Sequence, residues 1–236
     1  MKYIKRIFSV IFTIVVSGYI LIHISYMCRG YTRLMGFYGL PKNSIDVAFV
    51  GTSVTFSSFM PMEAWHTYGI AAYNYCTNVQ FETSLRFSIK EICKTQSPQL
   101  LLIDINPFLM QHYAGSFLDS DLQIKYNIDS VKYSTDRLRQ IYEIVKDGKR
   151  SATDFLYYVF DICRYHSNGM QKKLYNNAVN DVCRGYGYLP RNMGKPVDPR
   201  ILVADDGHEQ ALGEPHERIF QQLLKSVQNL PCTVIF

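Results

Sequence analysis

The chain has 236 residues, enough for one α/β domain plus a short appendage and too few for two ordinary domains. Apolar residues make up 47% and charged residues 19%, which excludes a disordered chain, because enough apolar surface exists to offset the entropy of folding. The net charge of +5 is scattered, with no basic run longer than Lys149-Arg150 or Lys172-Lys173; this excludes a nucleic-acid footprint and suits an anionic cell envelope.

Residues Ile7 to Met27 contain no Lys, Arg, Asp or Glu and are rich in Ile, Val and Phe. About 20 such residues cross a bilayer as a helix, so residues 1–28 are expected to form an N-terminal transmembrane anchor. A cleaved signal peptide has a shorter apolar core, roughly 7 to 15 residues, and a small-residue cleavage site, for which Val16-Ser17-Gly18 is poor. Lys2, Lys5 and Arg6 precede the span and Arg29 and Arg33 follow it, which favours a cytoplasmic N-terminus. The expectation is a single-pass cell-membrane protein with its domain on the extracytoplasmic side. His23, near the outer end of the anchor, is expected to stay neutral at the interface.

After a juxtamembrane linker, residues 29–44, the run Ile45-Asp46-Val47-Ala48-Phe49-Val50 ends at Gly51 and reads as a buried parallel strand. Pro61 to Tyr68 has a helical pattern broken by Gly69, and Ala71 to Cys76 reads as a second strand. Phe81 to Thr95 places Leu85, Ile89, Ile92 and Cys93 on one helical face, and Pro98 stops it. Leu100 to Ile105, apolar except for Asp104, is a third strand. This βαβαβ order predicts a parallel sheet with right-handed crossovers, helices on both faces, in a three-layer flavodoxin-like α/β domain over 45–236.

A helical insertion is expected over about 110–213, with helices near Thr135 to Asp147 and Thr153 to Tyr165 and a Gly- and Pro-rich loop from Gly185 to Pro199. A final amphipathic helix, Pro215 to Val227, leads into Cys232 to Phe236, which has the character of a fourth buried strand. Because a chain rarely ends in a mid-core strand, the sheet is expected to be incomplete and the sequence a fragment or the product of a truncated gene.

Cysteines at 28, 76, 93, 163, 183 and 232 form no Cys-x-x-Cys pair and sit near no His at zinc-ligand spacing, so no metal or other cofactor is implied. They are expected to be mostly small buried hydrophobes.

In open parallel sheets ligands bind at the carboxyl ends of the strands, and the loop after the first strand is Gly51-Thr52-Ser53. Glycine would allow the sharp turn, and Ser53 would act as a nucleophile with a base nearby or else cap the next helix. The block from Ile45 to Gln80 resembles the opening of SGNH/GDSL-type hydrolases, in which a strand ends in Gly-x-Ser; Ser53 matches the nucleophile. It is similar to membrane-anchored SGNH-like proteins of bacterial envelopes, including the D-alanyl transfer protein of teichoic acid modification and polysaccharide O-acetylation proteins.

The resemblance implies an oxyanion hole, with Asn106 in the matching place and Asn78 as second choice, although the second block, Asn74 to Val79, lacks the expected Gly. Each Asn also reads as a turn former. His166, in Arg164-Tyr165-His166-Ser167-Asn168, resembles a recurrent His of the relatives that would line the pocket or cap a helix. Asp205-Asp206-Gly207-His208 has the family's Asp-x-x-His spacing, but a helix and a strand still follow His208, so it reads as a surface loop and the base is expected beyond this chain. The implied function is a serine esterase or O-acyltransferase on acylated cell-envelope polysaccharide. The alternative is a non-catalytic partner that binds such a polysaccharide or a multispanning membrane acyltransferase.

Overall fold

Burial decides which apolar runs become strands and how far each extends. The structure, a computed structural model, describes residues 2–27, 33–109, 120–129, 131–165, 183–187 and 212–236. Helix α1 spans Lys2–Met27, and its stretch Tyr3–Ile22 is long and apolar enough to cross a membrane. The helix starts before the apolar run because Lys5 and Arg6 are good helix formers that need no apolar surroundings. A 3₁₀ turn, Arg33–Gly39, follows, and its Leu34 and Phe37 are core residues: the Phe37 ring meets Tyr73 at 5.3 Å and Tyr75 at 4.9 Å, edge-on.

Strand β1 (Val47–Gly51) leads through α2 (Ser53–Ser58) and α3 (Pro61–Tyr68) to β2 (Ala72–Cys76). Helix α4 (Glu82–Cys93) returns to β3 (Leu100–Ile103), which opens directly into the short α5 (Asn106–Leu109). Then come α6 (Asp121–Ile128), α7 (Thr135–Asp147), α8 (Ala152–Val159), α9 (Asp161–Tyr165), α10 (Glu214–Val227) and β4 (Thr233–Ile235). The helical stretch expected from Thr153 to Tyr165 is two helices, since Phe160 between them is extended (φ −98°, ψ 94°).

The sheet is parallel throughout, in the order β2-β1-β3-β4. Going from β1 to β2 and then from β2 to β3 reverses direction across the sheet, so right-handed crossovers put α3 and α4 on opposite faces. Ala48, Val50, Leu101 and Ile103 pack under Leu85, Ile89 and Ile92 of α4 and Ile219, Leu223 and Val227 of α10. On the other face, Val47, Phe49, Leu100 and Leu102 meet Phe59, Met60, Ala64, Tyr68 and Ile70 around an apolar groove of about 480 Å³.

Two expectations change. Residues 232–236 are not a fully buried strand: β4 is the edge opposite β2, with Ile235 and Phe236 exposed. Among the described cysteines only Cys76 is buried, while Cys93, Cys163 and Cys183 are exposed. The loop segment 183–187 covers the β2 edge: Asn74 N donates to Arg184 O at 3.0 Å, and Gly187 N donates to Phe56 O at 3.1 Å. Gly185 (φ +78°) is required there, since a Cβ would lie 2.1 Å from Asn74 O.

The insertion has its own core of Ile124, Ile128, Ile141, Ile144, Val145 and Tyr158 with Phe81. Its α7 meets α4 along a polar seam: Gln140 donates to Ser84 at 3.1 Å, Thr83 donates to Asp147 at 2.7 Å, and Arg86 pairs with Glu143. Helix α9 packs against α1, tying the insertion to the N-terminal helix.

Candidate functional site

The carboxyl ends of β2, β1 and β3 lie side by side, and each ends in polar residues. Asp104, the one acidic residue at the end of apolar β3, organises this edge. Its Oδ2 accepts from Thr52 N (3.0 Å), Thr52 Oγ1 (2.7 Å) and Thr55 Oγ1 (2.9 Å), and its Oδ1 accepts from Asn106 N (2.8 Å). One carboxylate thus ties the turn after β1 to the turn after β3. A carboxylate held by a backbone N–H and hydroxyls forms charge-assisted bonds, stronger than neutral ones.

Gly51 makes that approach possible. A Cβ there would sit 2.3 Å from Asp104 Cβ and 2.9 Å from Thr55 Oγ1. The glycine is needed for space beside Asp104, not for the shape of a sharp turn as the sequence suggested, since Gly51 is not among the positive-φ glycines.

Ser53 is the first residue of α2 and half-buried. The N-cap position is Thr52, whose hydroxyl is committed to Asp104. Asn106 opens α5 next door, half-buried, with its backbone held by Asp104. Asn78 lies two residues past β2, half-buried, on a turn anchored by Thr77 N donating to Gly51 O at 3.1 Å and followed by Val79 at φ +45°. Thr77 Oγ1 is buried without a hydrogen-bond partner. Topology therefore brings Ser53, Asn106 and Asn78 to three neighbouring strand ends. His166 and His208, with Asp205, lie outside the described residues.

A further pair at this edge has no local sequence signature. Helix α4 starts just after β2, and α10 runs back toward the start of β4, so both helices have their N-termini at the carboxyl edge. There His216 Nδ1 lies 2.8 Å and 2.7 Å from the two oxygens of Glu82. Burial pushes the Glu82 carboxyl above its ordinary value, the nearby His216 pulls it back, and Asp147 adds to the rise. One turn beyond His216, Phe220 stacks edge-on at 5.2 Å with Phe108 of α5. The sequence held one usable hint: Pro215 at the start of a helix that precedes a strand puts His216 in a first turn facing this edge.

Among the described residues no group of three or more His, Cys, Asp or Glu is arranged to hold a metal ion. Comparison of the chain with protein-family models, curated proteins and solved structures found no match.

Proposed function

We propose that this protein is a membrane-anchored serine esterase or O-acyltransferase of the SGNH type, with Ser53 as nucleophile and an acylated cell-envelope polysaccharide as substrate. The observation that carries this reading is the Asp104 latch. It fixes the turn that presents a half-exposed Ser53 at the carboxyl end of β1, beside Asn106 at the end of the adjacent β3. Such an edge is where open parallel sheets bind ligands, and a hydroxyl on a rigid turn there is positioned for attack on an acyl carbon. The Asn106 amide is the donor for the developing oxyanion. Helix α1 would hold the domain at the membrane, on the extracytoplasmic side where such glycans lie.

The test is hydrolysis of p-nitrophenyl acetate and of acetylated glycan by the full chain in detergent, with Ser53→Ala alongside. Activity that Ser53→Ala abolishes supports the reading. Activity that Ser53→Ala leaves intact removes Ser53 from the chemistry.

A further inference from the structure

We infer that Cys93, at the end of α4, and Cys232, just before β4, are joined by a disulfide when the domain stands in an oxidising compartment. The inference rests on the extracytoplasmic placement proposed above and is independent of Ser53. Both residues are free thiols in the structure. Their positions are too far apart in sequence for any spacing rule to pair them.

The fold aims the two side chains into one gap. On α4, Leu85, Ile89 and Cys93 follow at four-residue spacing, so Cys93 continues the face that Leu85 and Ile89 bury in the core. On the edge strand, Val234 packs against that same core, and strand alternation puts Cys232 on the side of Val234, where it too is packed. The two positions are also level along the sheet. Thr233 N donates to Gln99 O at 2.9 Å, which sets Cys232 beside the start of β3. The turn from α4 to that point is tight, with Thr95 N and Gln96 N donating to Ile92 O at 3.2 Å and 2.9 Å. Cys93 therefore stands at the amino edge of the sheet, where the chain enters β4. Burial raises the Cys93 thiol above its ordinary value, and the nearby Cys232 raises it further; burial raises the Cys232 thiol as well. The other described cysteines stand elsewhere. Cys76 ends β2 at the carboxyl edge, Cys183 lies in the segment over β2, the opposite side of the sheet from β4, and Cys163 belongs to α9 in the insertion.

The oxidant is the disulfide of a thiol-disulfide oxidoreductase, the class that works in such compartments. The exposed Cys93 is the entry point: as thiolate it attacks one sulfur of the oxidant, whose S–S bond breaks to leave a mixed disulfide. The Cys232 thiolate then attacks the Cys93 sulfur and expels the oxidant. One S–S bond forms in this chain, and the oxidant departs as a dithiol carrying both protons and the two electrons. Thiols raised by burial are slow nucleophiles, which suits a lasting staple and not a rapid sensor. What the staple holds is a weak edge. Strand β4 has three residues, pairs with β3 at the border of the sheet, and leaves Ile235 and Phe236 exposed. The bond closes β3, the insertion and α10 into one long loop, which restricts the unfolded chain strongly.

The experiment reduces the purified full chain in detergent, reoxidises it with oxidised glutathione, blocks the remaining thiols with N-ethylmaleimide and reads the tryptic peptides by mass spectrometry. Peptide 91–94 is expected to be joined to peptide 226–236, with Cys163 and Cys183 alkylated. The urea midpoint is expected to rise on oxidation in the wild type and to stay put in Cys93→Ser. If Cys93→Ser fails to fold, the reduced and oxidised wild-type midpoints decide. A wild-type midpoint that is unchanged or lower after oxidation means that the bond forms only by distorting the fold, and overturns the proposal. So does glutathione left on Cys93 with Cys232 still alkylated, or pairing of Cys93 with Cys163 or Cys183. A second arm adds the maleimide at lysis to cells making the full chain, and the joined peptides are expected there too. Both thiols alkylated in that arm, while glutathione joins them in the purified chain, overturns the bond as a state of the protein in cells and the extracytoplasmic placement with it, and leaves the Ser53 reading to its own assay.

Discussion

Two polar constellations in this molecule look alike in composition and differ in what they hold. At the sheet edge, Asp104 is half-buried and binds only neutral donors from two adjacent turns. In the insertion, Arg137 and Asp161 are both 0% exposed and pair at 3.0 Å, Arg164 pairs with Asp161 and with Asp129 at 2.9 Å, and Tyr165 donates to Asp129. Tyr133 adds a bond to Asp161 at 2.8 Å. The first arrangement fixes backbone next to an accessible serine. The second joins α7 to α9 and the end of α6. Charge buried between helices holds those helices together, whereas the carboxylate at the strand end leaves a neighbouring serine half-open.

The comparison breaks most visibly through Arg137. Removing one partner of a buried ion pair leaves the other charged and unpaired, at a cost of about 3–5 kcal/mol. Arg137→Ala is therefore expected to unfold the insertion or the whole chain at ordinary temperature, measured by urea denaturation. Replacing both partners, Arg137→Met with Asp161→Leu, is expected to recover only part of the loss, because Arg164 and Tyr133 lose Asp161 as well. A cost below about 1 kcal/mol for Arg137→Ala would place the cluster among exposed pairs, which contribute that little.

A smaller effect is expected at the latch. Gly51→Ala forces a methyl into the 2.3 Å gap beside Asp104 Cβ, and overpacking of this kind costs about 1–3 kcal/mol. Asp104→Ala leaves Thr52 N–H without its partner, a loss of about the same size. The two substitutions share one contact, so the double variant should cost less than the sum. Both single variants should also slow ester hydrolysis far more than Arg137 variants that still fold, since only the latch touches the turn carrying Ser53. Additive costs with unchanged hydrolysis would sever the latch from the site.

The parallel sheet was legible because β1, β2 and β3 are short apolar runs between turn signals, and the first helices carry a clear period. The edge position of β4 was not legible, because the apolar character of Cys232 to Phe236 does not say which neighbours a strand will have. Helix α4 misled for a related reason: Thr83, Ser84, Ser88 and Glu91 are buried beside its apolar stripe, and the seam with α7 that satisfies Ser84 and Thr83 depends on tertiary placement. Ser53 could be singled out from its strand end, whereas Asn106 stood out only through the family resemblance. Asp104 was visible as the odd residue in an apolar strand, yet its partners Thr52 and Thr55 were not, and the Glu82–His216 contact joins positions 134 residues apart.

The smallest expected effect separates the two regions by pH. Burial first, opposed by His216, leaves the Glu82 carboxyl above its ordinary value, so the native chain keeps that proton at a pH where the unfolded chain has lost it. More protons bound in the native state means that stability falls as pH rises, from the unfolded carboxylate value near about 4.3 up through the folded value of Glu82. Asp154 runs the other way: its bonds to the Ser151 hydroxyl and backbone lower its carboxyl, so its contribution is present above the unfolded value and is lost as pH falls. Urea midpoints measured from about pH 4 to about pH 7 should therefore decline through Glu82, and Glu82→Gln should remove that decline while leaving the Asp154 limb at lower pH in place. A decline that survives in Glu82→Gln would assign the titration to another carboxyl, and the contact between α4 and α10 would then carry no linkage of its own.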